Sequence, residues 1–241
     1  MSKKALIGII CAVVVALAGG TAPFVVTHQK KDDGQTKEVV EKEEEVNHDG
    51  QVKSYLTGEW VDQSIGRSRA VAVMTENTKA ALPQYGINSA GVLYEAPVEG
   101  SITRMMAIYQ DYSGLERIGS VRSCRLYFPK IANEFEAIYV HFGQSDFALP
   151  YLDGGKIDNL NGIKSEGSTV FYRTDDKKPP HNAFTSEKGI NAGIKKKNYE
   201  TKLSADYTGH YTFAEDGKEV ELTNGEDAVV VQPGYSVDKP W

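Results

Sequence analysis

The spacing of apolar side chains changes character three times along this chain. Residues 5–27 carry no charge and follow a short basic start containing Lys3 and Lys4. That run is about long enough to cross a bilayer as a helix, although Gly19, Gly20 and Pro23 interrupt its second half. Residues 1–27 therefore read as a signal peptide or membrane anchor, either uncleaved or cut near the small residues of 16–22. Residues 28–54 are strongly charged, with Glu38, Glu41, Glu43, Glu44 and Glu45 and almost no large apolar group. Such a stretch cannot offset its ordering entropy by burial and is expected to be a disordered stalk.

Beyond the stalk, alternation begins near Ala70, and residues 70–74 predict a strand with a polar turn at 75–77. Residues 91–100 predict a second extended piece. A period of two places Val92, Tyr94, Ala96 and Val98 on one face and Leu93, Glu95, Pro97 and Glu99 on the other. Pro97 has no N–H to donate, which assigns this piece to a sheet edge or a bulge. Residues 102–109 form a third strand with Arg104 near its start, and Ser123 reads as the N-cap of a helix running to about Phe135, with Pro129 as a kink. A buried strand over 137–142, a short strand over 169–173, a loop at 179–182 and a short helix over 189–196 follow. From Tyr207 the pattern turns to β, with Asp216-Gly217 as a hairpin signal and 228–232 as the last strand. The expected fold class is α/β. A mixed sheet with flanking helices spans 55–205, and the start of a β-rich region, read as incomplete, spans 206–241.

With 241 residues, 25 % charged and 40 % hydrophobic, the chain has material for one sizeable core. Its net charge of -6 argues against nucleic acid as a partner, because phosphate backbones need a basic field. Of the two cysteines, Cys11 lies in the leader and Cys124 stands alone beyond it, so the exported part has no intrachain disulfide and is held by its core.

The densest charged motif is Arg117-Ile-Gly-Ser-Val-Arg-Ser-Cys-Arg125. Guanidinium groups beside the free N–H groups of a predicted helix start make an anion site. The expected ligand-binding set is Arg104, Arg122, Ser123 and Arg125, with His181 and Asn182 from the Pro-rich loop. The competing reading pairs Arg122 and Arg125 internally with Glu95 and Glu99. Those glutamates would lie about 13 Å apart along an ideal strand, too far for an acid–base pair unless Pro97 bends it. His141 sits where a strand meets a glycine-containing loop, a common place for active residues. If the protein is an enzyme, His141, Glu95 and Glu99 are its catalytic candidates. Cys124 is either an activated thiol with His141 as base or a small packed residue. No metal site is expected, since no His-Glu-x-x-His run or closely spaced histidine pair occurs. No cofactor is expected either.

Five ordered segments carry a family resemblance: Arg69-Ala-Val-Ala-Val-Met-Thr-Glu-Asn77, Tyr94-Glu-Ala-Pro-Val-Glu-Gly-Ser-Ile-Thr-Arg104, Ile118-Gly-Ser-Val-Arg-Ser-Cys-Arg125, Tyr139-Val-His-Phe-Gly143 and Pro180-His-Asn182. Over about residues 60–235 the chain resembles the YerB-like family of bacterial extracytoplasmic proteins, DUF3048. The resemblance implies an α/β fold, a cell-surface location and often a lipid anchor; it implies no established reaction. The chain departs from the family pattern in lacking a lipobox, since Ile9 and Ile10 precede Cys11, and in having Cys124 where a small residue such as Ala is usual. It also ends before the later part of the family's β-rich region. The function these features predict is an envelope-facing module, tethered to the membrane by its N-terminal segment or secreted. It would bind an anionic small molecule or a cell-wall polymer. The alternative is an envelope-directed hydrolase or transferase using His141 with Glu95 or Glu99.

Overall fold

The computed structural model describes residues 47–218 together with 220 and 225. A hairpin comes first: β1 (Gln51–Lys53) pairs antiparallel with β2 (Trp60–Asp62). Folded structure thus starts inside the stretch whose charge suggested a stalk. A few contacts suffice: His48 stacks on Trp60 at 3.9 Å between ring centroids, and the Lys53 ammonium lies 4.6 Å from the Trp60 ring. The rest of the predicted stalk, the leader and the strand expected at 228–232 lie outside the described residues. Helix α1 (Gln63–Gly66) follows the hairpin, capped by the Asp62 carboxylate on the Ser64 N–H at 2.8 Å.

The centre is a mixed five-stranded sheet. In chain order the next strands are β3 (Val71–Glu76), β4 (Val92–Val98), β5 (Ile102–Tyr109), β6 (Ile118–Gly119), β7 (Ile138–His141), β8 (Asn159–Asn161), β9 (Phe171–Arg173) and β10 (Ala183–Thr185). The large sheet has the order β4-β5-β3-β7-β8, and β6-β10-β9 form a separate antiparallel sheet. β4, β5 and β3 are antiparallel, whereas β7 and β8 run parallel to β3. The expected α/β class with a mixed sheet is what the chain adopts. β4 is an edge strand, as Pro97 requires, and Val92, Tyr94, Ala96 and Val98 all pack on the core while Leu93 and Pro97 face outward.

All six residues of β3 are buried. Ala72 and Met74 pack on one side with Phe128, Ala132 and Phe135, and Val71 and Val73 pack on the other with Ile190 and Ile194. The strand continues through Thr75 and Glu76, where a polar turn was expected. Polarity alone misplaces the boundary because Glu76 keeps the parity of Ala72 and Met74 and finds buried partners at the sheet's end.

Among the helices, α2 (Tyr127–Glu134) begins four residues after Ser123, so Ser123 is not its N-cap. Pro129 explains the shift. A ring with no N–H belongs in a first turn, and a helix from Ser123 would have forced it into the interior against the Arg125 carbonyl. The short helices α3 (Leu149–Asp153) and α4 (Gly167–Val170) follow, so the strand expected at 169–173 starts only at Phe171. The last helix among the described residues, α5 (Glu187–Lys197), is capped by Ser186 and ended by Asn198 at φ 54°. Asp216 and Gly217 do form a turn, but no strand occurs over 206–218. Among the described residues no helix is long and apolar enough to cross a membrane.

Candidate functional site

The arginine motif does not open a helix. It forms an extended wedge at the C-terminal ends of β3 and β7. On one side Arg122 N–H donates to the Met74 carbonyl at 3.0 Å, and Glu76 N–H donates to the Ser120 carbonyl at 3.1 Å. On the other side Phe142 N–H donates to the Arg122 carbonyl at 3.0 Å, and Cys124 N–H donates to the Gly143 carbonyl at 2.9 Å. Gly119 makes the entry possible: its φ is +134°, and a Cβ there would meet Val121 N at 2.6 Å.

This wedge brings three guanidinium groups together. Arg104 stands opposite Glu76 in the β3–β5 register and is only 6 % exposed. Its Nη1 donates to the Ser123 carbonyl at 2.7 Å, while its buried Nε has no acceptor. Arg122 Nε lies 3.2 Å from the Glu76 carboxylate, and its Nη1 donates to the Pro180 carbonyl at 2.9 Å. Arg125 grips Glu99 through Nε and Nη2 at 2.6–2.8 Å. Burial and then the neighbouring charges of Arg125 and Arg122 pull the Arg104 guanidinium down to about 10. The Arg125 hydrogen bonds hold Glu99 down at about 2. Three guanidinium groups face two carboxylates here, and among the described residues no carboxylate pairs with Arg104.

The other expected residues divide. The internal pairing of Arg125 with Glu99 is present, whereas the carboxylate on Arg122 is Glu76. Glu95 sits in register with Met105, on the opposite sheet face from Arg104, and accepts from Asn77 Nδ2 at 2.7 Å and from the Thr103 hydroxyl. β4 ends at Val98, so Glu99 leaves the strand alternation and the two glutamates do not converge. Ser123 contributes its carbonyl, with its hydroxyl at 3.4 Å from Arg104 Nη1. Asn182 fixes its own loop instead of facing the arginines: its Oδ1 accepts from Arg173 at 2.6 Å and its Nδ2 donates to the Thr174 carbonyl at 3.1 Å. Arg117 is elsewhere, over the rings of Tyr85 and Phe184 at 3.8 and 4.0 Å and paired with Asp176.

His141 and Cys124 are both fully buried. His141 Nδ1 is 2.7 Å from the Gly143 carbonyl and Nε2 is 3.2 Å from Asn159 Oδ1. Burial keeps its pKa below the usual histidine range despite those acceptors. Neither ring nitrogen is presented to a substrate, so the role of base expected for it has no geometric basis. Burial also pushes the Cys124 thiol up to about 11, which leaves it a packed, protonated side chain.

Two residues that sequence reasoning passed over complete the cluster. Glu76, 2 % exposed, accepts from the Thr78 hydroxyl at 2.9 Å and faces His181 Nδ1 at 2.8 Å. Ser120 donates its hydroxyl to the His181 carbonyl. The signal for Glu76 was its parity with Ala72 and Met74. The five segments behind the family resemblance meet here. Glu76, Arg104, Arg122 with Arg125, and His181 come from four of them, and Tyr139–Gly143 supplies the backbone that seats the wedge.

Residues 56–200 match the family model described as "Protein of unknown function (DUF3048) N-terminal domain". The "Putative lipoprotein YerB" of Bacillus subtilis (strain 168) is 36 % identical over 192 residues, which is 78 % of this chain and 57 % of that protein. The chain thus spans little more than half the length of this relative. The crystal structure of the YerB protein from Bacillus subtilis superposes with a TM-score of 0.59 at 40 % identity, covering 63 % of this chain and 51 % of that one. The chain belongs to the DUF3048 family.

Proposed function

We propose that this chain is an extracytoplasmic envelope protein, membrane-tethered or secreted, that holds an anionic envelope ligand through Arg104, Arg122 and Arg125. The location is supported by the lipoprotein name of its Bacillus relative. The ligand reading is carried by one observation: a guanidinium that is 6 % exposed, lacks a carboxylate and has an acceptor-less Nε beside two further arginines. A buried donor left without an acceptor costs about 1–3 kcal/mol. A fold that retains this cost next to like charges is arranged for a negative group supplied from outside. An anion reaching the cluster exchanges water for charge-assisted hydrogen bonds, each contributing about 1.5–3 kcal/mol.

Sulfate or phosphate raises the melting temperature of the chain more than chloride does at matched ionic strength. General salting effects contribute to this rise, and the variant Arg122→Gln separates them. It keeps the general effect and loses the specific increment. Identical responses of wild type and variant across concentrations would reduce the arginines to internal ion-pair partners.

A further inference from the structure

The buried carboxylate of Glu76 holds two groups at once. One oxygen, Oε2, lies 3.2 Å from Arg122 Nε and 2.8 Å from His181 Nδ1. The other accepts from the Thr78 hydroxyl at 2.9 Å. His181 is fixed through its backbone as well. Its N–H donates to the Lys178 carbonyl at 2.9 Å, its carbonyl accepts from Ser120, and Arg122 bonds to the carbonyl of the preceding Pro180. A carboxylate facing Nδ1 selects the tautomer protonated there and leaves the Nε2 lone pair free. Among the described residues Nε2 has no hydrogen-bond partner, and the side chain keeps 24 % of its exposure. The imidazole therefore stands beside the Arg122 guanidinium at the edge of the arginine cluster. His141 has none of these properties.

We infer that Glu76 and His181 form a general-base dyad, and that the anion taken by the arginines is a phosphodiester hydrolysed at this site. The inference rests on the anion-binding reading above and assigns it a substrate class. In a phosphodiester the bound anion and the electrophile are the same group, so a base beside Arg122 is beside the reacting phosphorus. A carboxylate-bearing ester would put its scissile bond away from the arginines and from His181. Arg104 and Arg122 carry the charge on the non-bridging oxygens. His181 Nε2 takes a proton from water as the water oxygen bonds to phosphorus. The bond from phosphorus to the leaving alcohol oxygen breaks, and that oxygen takes the proton from the imidazolium. The products are a phosphomonoester and an alcohol, with no change of oxidation state. His181 is the catalytic residue of this step, and Glu76 is its positioning residue.

The probe is bis(p-nitrophenyl) phosphate with the full chain, read as p-nitrophenolate release, alongside calorimetric binding of inorganic phosphate. Turnover by the wild type falls by about 100-fold or more in His181→Ala, the usual contribution of a general base, and free imidazole restores part of it. Rescue by imidazole is a response that a merely structural histidine would not give. Nitrogen chemical shifts of labelled histidine in the wild type place the proton of neutral His181 on Nδ1, and Glu76→Gln loses that preference. Phosphate binding without turnover overturns hydrolysis and leaves the anion site standing. Turnover unchanged in His181→Ala, or a wild-type proton on Nε2, overturns the dyad. Absence of phosphate binding overturns the reading on which both rest.

Discussion

An arginine arrangement lies at each end of strand β3, and the two ends use their donors differently. At its start Arg69 donates from Nε to the Glu136 carbonyl at 2.7 Å and from Nη1 to Asp158 at 2.7 Å and to the Glu200 carbonyl at 2.9 Å. That side chain is 12 % exposed and ties three distant stretches of chain to the strand. At the other end Arg104 bonds to Ser123 and leaves its Nε without an acceptor, while Arg122 and Arg125 crowd it with like charge. The residue type is the same, and Arg104 is the more buried of the two. Matched donors make Arg69 a structural tie, whereas the anion site proposed above draws on the unmatched Nε of Arg104.

The largest test of this contrast is a pair of substitutions. Arg69→Met strands Asp158 and two carbonyls and should cost about 2–3 kcal/mol, discounted from a fully buried pair because Asp158 is part-exposed. That corresponds to a fall of roughly 5–10 °C in melting temperature for a domain of this size. Arg104→Met removes an unpaired charge, fills similar volume, and should leave stability within about 1 kcal/mol of wild type or raise it. Equal losses in the two variants, measured by thermal melting, would erase the distinction between the ends. A smaller effect sharpens the same contrast. Sulfate at ten times its Kd stabilises by about 1.4 kcal/mol. That increment should survive in any folded Arg69 variant, such as Arg69→Lys, and vanish in Arg104→Met.

His141 marks the neighbouring wall of the site, and its effect is pH-dependent. Burial depresses its folded-state pKa, so the unfolded chain binds the proton more readily. The contribution of the neutral ring is complete above the unfolded pKa of about 6.5 and is lost as pH falls from there through the folded value. Melting temperature should decline on acidification across that window. In proton NMR the His141 ring should still give the neutral-form shift where an exposed histidine is half protonated. A ring titrating like an exposed one would mean that the wall opens to water.

The smallest expected effect is at Cys124. Its thiol, held near 11 by burial, should resist iodoacetamide at pH 8 in the native chain and react once unfolded. Cys124→Ala should cost about 1 kcal/mol and leave the sulfate response intact. Rapid native labelling would return the thiol to the list of reactive groups.

The sequence alone determined the class and the places of β3, β4, β5 and β7. Period-two alternation located the extended pieces of β4 and β5 and the inward face of β4, and the missing N–H of Pro97 put β4 at an edge, because side-chain parity and backbone donors are local properties. It also marked Arg104, Arg122 and Arg125 as candidates for one site, the site proposed above to hold an anion. Which charges meet was settled only by the tertiary structure. The helix start expected at Ser123 gave way to a wedge between β3 and β7, since backbone groups 19 to 62 positions away in the chain supplied its hydrogen bonds. Glu76 read as a turn residue until the sheet buried it, and His181, 105 residues further on, then found its carboxylate. His141 looked like the active histidine and is sealed between Gly143 and Asn159. Hydrogen-bond pairing and burial depend on which segments the fold brings together, and for charged groups those two quantities separate a structural tie from a working site.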